Sequence, residues 1–425
     1  MTEFSVRTKP ATSSATSCLG WPPCGRPAPF SSPVTSPVHA ISLTQDWQIH
    51  WFESLAAGRE HWEQLPATED VFLSAAYFAL LDQLSLPDVS LGYAIFEHPD
   101  YGAFGLVLQA FTFAADQQLG KLDQPAELAG WQRFQARFKG RLAKVLRFRI
   151  LAAGQLLLTG DHALRGHHGL DEAQLNTVLA AGLEAIAASW PERIHGIMLK
   201  DLPLQERPRS QGYHALPVQP NMVVTLDPAW RVFDDYLDAM SSKYRVRVRR
   251  ARKKGDELQR RLLSLAELQV HQRQLHALYQ DIAKQSDFNA VVLPEDYFTA
   301  WKTHFPDRFQ VWGYFVEEEL IGFSTAIYNG AELEAHFLGL EQGYSRTHQL
   351  YLNMLYDLVA EAIAAGSHQL VLSRTALEIK SSVGARPENL YCWMRSRVAI
   401  LNPLVPIVAR FIAPLKPWEE RHPFK

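Results

Sequence analysis

A chain of 425 residues, 47% of them hydrophobic and 20% charged, is too long for one ordinary core and too apolar to be a disordered polymer, so two globular domains are expected. A formal net charge of −3 argues against a general nucleic-acid coat, and no apolar run is long enough for a transmembrane helix. The start lacks a charged-then-apolar leader, and Cys18, Cys24 and Cys392 form neither a disulfide framework nor a zinc pattern, so a reducing cytoplasm is the expected compartment.

Residues 1–40 concentrate Ser, Thr and Pro without a continuous apolar stretch and read as a disordered arm. The first ordered half is expected over 41–225. Trp47, Trp51, Leu55 and Trp62 have helical spacing, which predicts a helix over 47–65. Alternation predicts strands at 90–97 and 104–113 joined by an HPDYG turn, and two more over 146–159 around Ala153 and Gly154. A long Ala/Leu helix follows at 171–190, capped by Asp171, then a strand at 194–200 and a short one at 222–226. The segment 161–171 (DHALRGHHGLD) gathers Asp161, His162, His167, His168 and Asp171, but its spacing fits no common zinc pattern. A structural or surface role is expected there, and no metal.

The second half is expected over 226–397. A short helix at 232–240 precedes Ser241 and Ser242, which can cap a helix carrying KYRVRVRRARKK (243–254) and stopping at Gly255. Eight of those twelve residues are basic and none is acidic, so the rest of the chain sums to −3 − 8 = −11. Such a cationic island predicts a nearby anion, most simply a phosphate. On a helical period Lys243, Arg247, Arg250 and Lys254 share one stripe, and Tyr244, Val248 and Ala251 make a narrow apolar docking edge. Helices at 265–285 and 294–304, a hairpin of 309–316 with 320–328, and a strand at 331–340 come next. A helix at 350–365, a strand at 369–373, a helix at 375–383 and a strand at 389–395 complete the half. An ungapped match of seven in fourteen positions between LNTVLAAGLEAIAA (175–188) and LNMLYDLVAEAIAA (352–365), each followed by a loop and an apolar strand, points to an internal duplication.

Strict alternation along AELEAHFLGL puts Glu332, Glu334, His336 and Leu338 on one face and Leu333, Ala335 and Phe337 on the inner one. A carboxylate or imidazole there can take the proton of an attacking amine, which makes Glu334 and His336 the candidate catalytic residues. Arg374 and Lys380 are candidates for holding a carboxylate or phosphate of donor or acceptor. Tyr344 and Tyr391 are candidates for protonating a leaving thiolate or ribose oxygen.

The order helix, helix, three antiparallel strands, helix, strand, helix, strand resembles the acyl-CoA N-acyltransferase fold of the GNAT superfamily. The stretch SSKYRVRVRRARKKG and the pattern E-x-K-x-x-x-G-x-x-P, here Glu378, Lys380, Gly384 and Pro387, resemble its two-domain Fem-like group, which includes peptidoglycan bridge-forming aminoacyltransferases. The match covers 210–395 well and the first half by order of elements. It implies an α+β protein of two GNAT-like lobes, with mixed central sheets flanked by helices. It also implies a substrate-binding role for Lys380 and structural roles for Gly384 and Pro387. Two departures stand out. The segment EQGYSRTHQ (341–349) holds a single glycine where GNAT enzymes carry a Gly-rich pyrophosphate turn, and there is no coiled-coil insertion.

The expected function is N-acyl transfer from a thioester donor, acyl-CoA or acyl-carrier protein, to an amine on a small molecule or a cell-envelope precursor. The alternatives are a charged-tRNA-dependent aminoacyltransferase and a non-catalytic anion-binding scaffold. The tail, 398–425, contains an apolar stretch at 398–418 broken by four prolines. It cannot span a bilayer as one helix, but with Arg395, Arg397, Arg410 and Lys416 beside it, it can lie on the inner face of a membrane, pack across the domain or make a dimer contact.

Overall fold

The computed structural model describes residues 39–43, 45–114, 147–204, 212–284, 291–412 and 417–425. The arm expected over 1–40 lies outside them except for residues 39 and 40, which open the first strand. In chain order the first half holds β1 (His39–Ser42), β2 (Gln48–Phe52), α1 (Leu55–Gln64), a 3-10 turn (Val71–Leu73), α2 (Ala75–Leu84), β3 (Val89–His98), β4 (Gly102–Ala114) and β5 (Arg147–Ala153). It continues with β6 (Leu164–Arg165), α3 (Glu172–Ser189), β7 (Gly196–Lys200), β8 (His214–Ala215) and β9 (Asn221–Thr225). The second half holds α4 (Phe233–Ala239), α5 (Ser242–Lys254), β10 (Gln259–Leu262), α6 (Leu265–Ala283), α7 (Tyr297–His304), β11 (Phe309–Val316), β12 (Glu319–Asn329) and β13 (Glu332–Leu340). Then come α8 (Gln342–Thr347), α9 (Leu350–Ala364), β14 (Gln369–Val371), α10 (Leu377–Ser381), β15 (Arg386–Glu388), β16 (Cys392–Ser396), a 3-10 turn (Ala399–Leu404) and α11 (Val405–Ile412).

Local signals mostly hold. The β3–β4 hairpin forms around its turn, and Asp171 starts α3 in a capping box: its carboxylate accepts the Gln174 N–H at 2.8 Å and the Gln174 side chain accepts the Asp171 N–H at 3.0 Å. Two expectations fail for physical reasons. The helix predicted over 47–65 begins only after Ser54, because residues 48–52 are a strand paired with β3. A spacing of four fits a period of two as well as one of 3.6, and here Ile49 and Trp51 are buried while Gln48 is exposed. The pair of strands predicted over 146–159 is one strand, β5. Gly154 ends it at φ +133°, where a Cβ would lie 2.6 Å from the Lys200 carbonyl oxygen.

Among the described residues the strands form two mixed sheets flanked by helices. The first runs β1-β2-β3-β4-β5-β7-β16-β8, with β6 beside β4, and the second β10-β11-β12-β13-β14-β9-β15. Both repeat one plan. An antiparallel meander ends in β5 or β13, a helix crosses to a parallel neighbour (α3 to β7, α9 to β14), and an antiparallel strand from the other half follows. The duplication read from the α3 and α9 letters is thus matched by topology. The halves also exchange strands: β9 leaves the first half for the second sheet, and β16 returns to the first. A boundary at 225 therefore does not separate the two sheets. An apolar core running from Trp62, Phe72 and Tyr77 to Tyr297, Trp301 and Phe309 joins them further.

Two features prepare the site. First, β13 pairs with β14 only from Glu332 to Glu334, and from Ala335 onward the two strands no longer pair. Second, the β12–β13 register shifts between Ser324 and Ala326, where the Thr325 hydroxyl donates to the Phe337 carbonyl oxygen at 2.7 Å. This bulge places His336 and Phe337 in one aromatic cluster with Tyr297 and breaks the strict alternation expected for the strand.

Candidate active site

The carboxylate of Glu334 is buried at the end of the paired part of β13. Asn329, at the end of β12, donates to it at 2.7 Å and to Asp70 at 3.1 Å, and its own carbonyl accepts the Val71 N–H at 2.8 Å. His162, on the loop between β5 and α3, lies between the same two acids: Nδ1 is 2.9 Å from Asp70 and Nε2 is 3.6 Å from Glu334. Asp70 is also the cap of the 3-10 turn, accepting the Phe72 N–H at 2.9 Å. Three segments far apart in sequence thus meet at one network.

Electrostatics sharpen it. Burial raises the Glu334 carboxyl to about 7, against the lowering effects of His162 and the Asn329 hydrogen bond and with further upward push from Asp70 and Glu332. Burial alone would lower His162, but Glu334, the hydrogen bond and charge of Asp70, and Asp161 outweigh it and raise the imidazole to about 9. A buried carboxyl poised near neutrality beside a cationic imidazole suits proton transfer. The Tyr77 hydroxyl is buried without a hydrogen-bond partner among the described residues, in the field of Asp70 and Glu334.

A second set lies alongside. Asp201, fully buried, pairs with Lys200 at 2.7 Å and with Arg374, and accepts from Gly160 N–H at 3.4 Å and the Cys392 thiol at 3.3 Å. Burial would raise this carboxyl, but Lys200 and Arg374 hold it below the usual range. Arg374 also donates to the Gln219 carbonyl oxygen at 3.0 Å. The loop after β14 is strained: Ser373, Thr375 and Ala376 have φ of 60°, 72° and 48°. The buried Lys380 ammonium grips it, donating to the carbonyls of Arg374 at 2.6 Å and Ser373 at 3.3 Å.

Gln219 then lines a cleft of about 980 Å³ with Lys243, Arg247, Arg250, Gln349, Glu378, Trp418 and Arg421. The helix α5 turns Val248 and Ala251 into the core beneath α9, with Tyr244 packed against the same cluster, as its stripe predicted. Three of the four expected anion-binding residues line the cleft; Lys254 lies further along, outside its lining. Arg245 and Arg252 are used internally, on the Met240 carbonyl at 2.9 Å and on Asp357 at 2.6 Å. Among the described residues no hydrogen bond or ion pair engages Arg247, Arg249, Arg250, Lys253 or Lys254. The tail closes one wall: Ser241 N–H donates to the Pro423 carbonyl, Arg421 pairs with Glu378, and Phe424 seats on Gly384 at φ +97°.

The structure separates the other residues singled out by sequence. His336 sits among aromatic rings, 2.6 Å from the Tyr297 hydroxyl, and burial drives it down to about 3, so it stays neutral there rather than on an open polar face. The Lys380 ammonium is used on backbone carbonyls, and burial lowers it to about 7, so its surroundings are those of a loop brace rather than of an exposed substrate hook. Tyr344 on α8 rests against His348, and the exposed Tyr391 offers its carbonyl to the Asp201 N–H. His167 and His168 pack on each other, apart from His162. Among the described residues no group of three or more His, Cys, Asp or Glu is arranged to hold a metal ion. Sequence reasoning missed His162, Asp70 and Asn329. The His cluster had drawn notice, but only the fold distinguishes His162 from its neighbours.

No family model and no curated protein matches the chain. Solved structures do. It is similar to FemX, with 10% identity over 82% of this chain and 98% of that one and a TM-score of 0.48. It is similar to a tandem GNAT protein from the clavulanic acid biosynthesis pathway, with 10% identity over 85% and 98% and a TM-score of 0.44. The L-PGS from Bacillus licheniformis shows 13% identity over 79% and 95%, with a TM-score of 0.40.

Proposed function

We propose that this chain is an N-acyltransferase that moves an acyl group from a phosphate-bearing thioester, acyl-CoA or acyl-carrier protein, to an amine. One juxtaposition supports this reading. A buried carboxyl raised to about 7 stands where β13 leaves β14, and a chain of hydrogen bonds and ion pairs through the 160–162 loop, Asp201, Arg374 and Gln219 leads from it to the wall of a cleft bearing Lys243, Arg247 and Arg250. The donor phosphates lie against the three cations and the acyl carbon reaches toward Glu334. The amine nitrogen attacks that carbon and Glu334 takes its proton as the N–C bond forms. The C–S bond then breaks and the thiolate leaves, taking a proton from the medium. His162 keeps the paired carboxylates of Asp70 and Glu334 from repelling each other. Lys380 and Arg374 act by fixing the strained loop between cleft and carboxylate. Such donors belong to the cytoplasm.

A second reading has a specific support. Arg249, Lys253 and Lys254 are exposed on α5 beyond the cleft lining, more cation than a single coenzyme needs. They suit a polyanion, and the donor is then an aminoacyl ester of tRNA whose C–O bond breaks instead. The test offers each donor, with a labelled acyl group and a mixture of amines, to the native chain and to Glu334→Gln. Label appears in amide with one donor and native protein, and falls by about 10²-fold or more with the variant. A donor that binds without yielding amide in either protein leaves only the scaffold.

A further inference from the structure

Four of the exposed large apolar side chains fall within nine residues: Ile400 (82% exposed), Leu404 (47%), Ile407 (64%) and Val408 (49%). They belong to the second 3-10 turn and α11, the last helical elements among the described residues. The segment is anchored from its other side. Val405 is buried, and Asn402 accepts the Ser396 N–H at 2.9 Å and donates to the Gly212 carbonyl at 2.9 Å. Arg395 and Arg397 tie the preceding strand to Glu184 at 2.7 and 3.0 Å. Ile407 and Val408 are neighbours on α11, and Leu404, the last residue of the 3-10 turn, has i, i+3, i+4 spacing to them, so the three exposed side chains lie beside one another while Val405 turns inward. Their exposure is thus that of a segment held in place at Asn402 and Val405.

Charge says what covers this face. From Arg395 to Trp418 the sequence has four basic residues and no acidic one, although the whole chain is formally −3. Arg410 is exposed, and among the described residues no hydrogen bond or ion pair engages it. An apolar stripe with a cation at its end and no acid along it fits a lipid surface with anionic headgroups. A second copy of this chain is the poorer fit, since a twofold contact would set the same acid-free segment against itself.

We propose that residues 400–410 seat the protein on an anionic bilayer, with Ile400, Leu404, Ile407 and Val408 in the headgroup–acyl boundary and Arg410 at headgroup level. The helix lies on the membrane and does not cross it: among the described residues no helix is long and apolar enough to do so. This surface stands apart from the acyl-transfer reading and holds or fails independently of it.

The test is co-sedimentation of the full chain with vesicles of phosphatidylcholine, alone and with phosphatidylglycerol. The native chain pellets with the anionic vesicles and at least about tenfold less with the neutral ones. The double variant Ile407→Asp/Val408→Asp loses at least about tenfold in binding at an unchanged thermal midpoint, because both side chains are exposed. Arg410→Glu weakens binding several-fold, to an extent that shrinks as salt rises. A native chain that stays in the supernatant with both vesicles overturns the proposal. So does equal binding by the double variant, or a solution dimer that the double variant dissociates.

Discussion

Nε2 of His162 lies 3.6 Å from Oε1 of Glu334, so a ring from a loop of the first sheet meets a carboxylate on a middle strand of the second. Neither half of the chain can assemble this pair alone. In the proposed reaction Glu334 accepts the amine proton, and Glu334→Gln retains an oxygen for the Asn329 amide. The variant should stay folded, with transfer reduced about 10²-fold or more. In the native chain the rate should rise with pH through about 7, as Glu334 loses its proton, and the variant should lack this limb. A pH–rate profile of both proteins checks it.

His162 leaves a mark on stability. Its folded pKa is raised from 6.5 to about 9, so its contribution is fully present below 6.5 and is lost as pH rises through 9. Glu334 is raised too, but its contribution has gone by about pH 7. Lys380 works the other way. Its folded pKa is lowered from 10.5 to about 7, so it costs stability at low pH and the cost fades toward 10.5. The clean observable is therefore the difference between native protein and His162→Gln in urea unfolding. That difference should shrink by up to about 3 kcal/mol between pH 6.5 and 9. A difference that does not change with pH would remove the imidazolium from the network.

The tail gives a third prediction. Gly384 has φ +97° and a Cβ there would lie 2.5 Å from the Phe424 ring. Gly384→Ala should cost about 1–3 kcal/mol, from backbone strain and the displaced ring. Because Trp418 and Arg421 of the same tail line the cationic cleft, the substitution should also raise KM for the donor more than it lowers kcat. Steady-state kinetics beside a melting curve separates the two effects.

What was legible in the sequence was local. The β3–β4 hairpin, the Asp171 cap and the Val248–Ala251 edge of α5 are set by neighbouring residues, and each forms as read. Glu334 stood out because alternation gathered it with Glu332 and His336 on the polar face of one strand. Its partners did not, since nothing in the letters ties His162 or Asp70 to β13. His336 was misplaced because a bulge opposite Thr325 shifts the alternation by one, and a bulge leaves little trace in composition. The exchange of β9 and β16 between sheets was equally hidden: period tells a strand from a helix, not one sheet from another. Lys380 stood out as a holder of a substrate anion, from its charge beside Arg374 and from the resemblance of its motif; that the strained Ser373–Ala376 loop supplies carbonyls to bury and hold it could not be read from the letters.

If the α5 cleft receives the phosphates of an acyl donor, thermal unfolding reveals it: the native chain and Arg247→Glu/Arg250→Glu are each melted with acyl-CoA, acyl-carrier protein and charged tRNA in turn. Both arginines are exposed and no hydrogen bond or ion pair engages them among the described residues, so the variant should fold with a midpoint close to native. At least one donor should raise the native midpoint, and the shift should collapse in the variant. For tRNA the protection should also fall steeply with salt. If no donor moves the native midpoint, or if the shift survives the double charge reversal intact, the cleft is not the donor site.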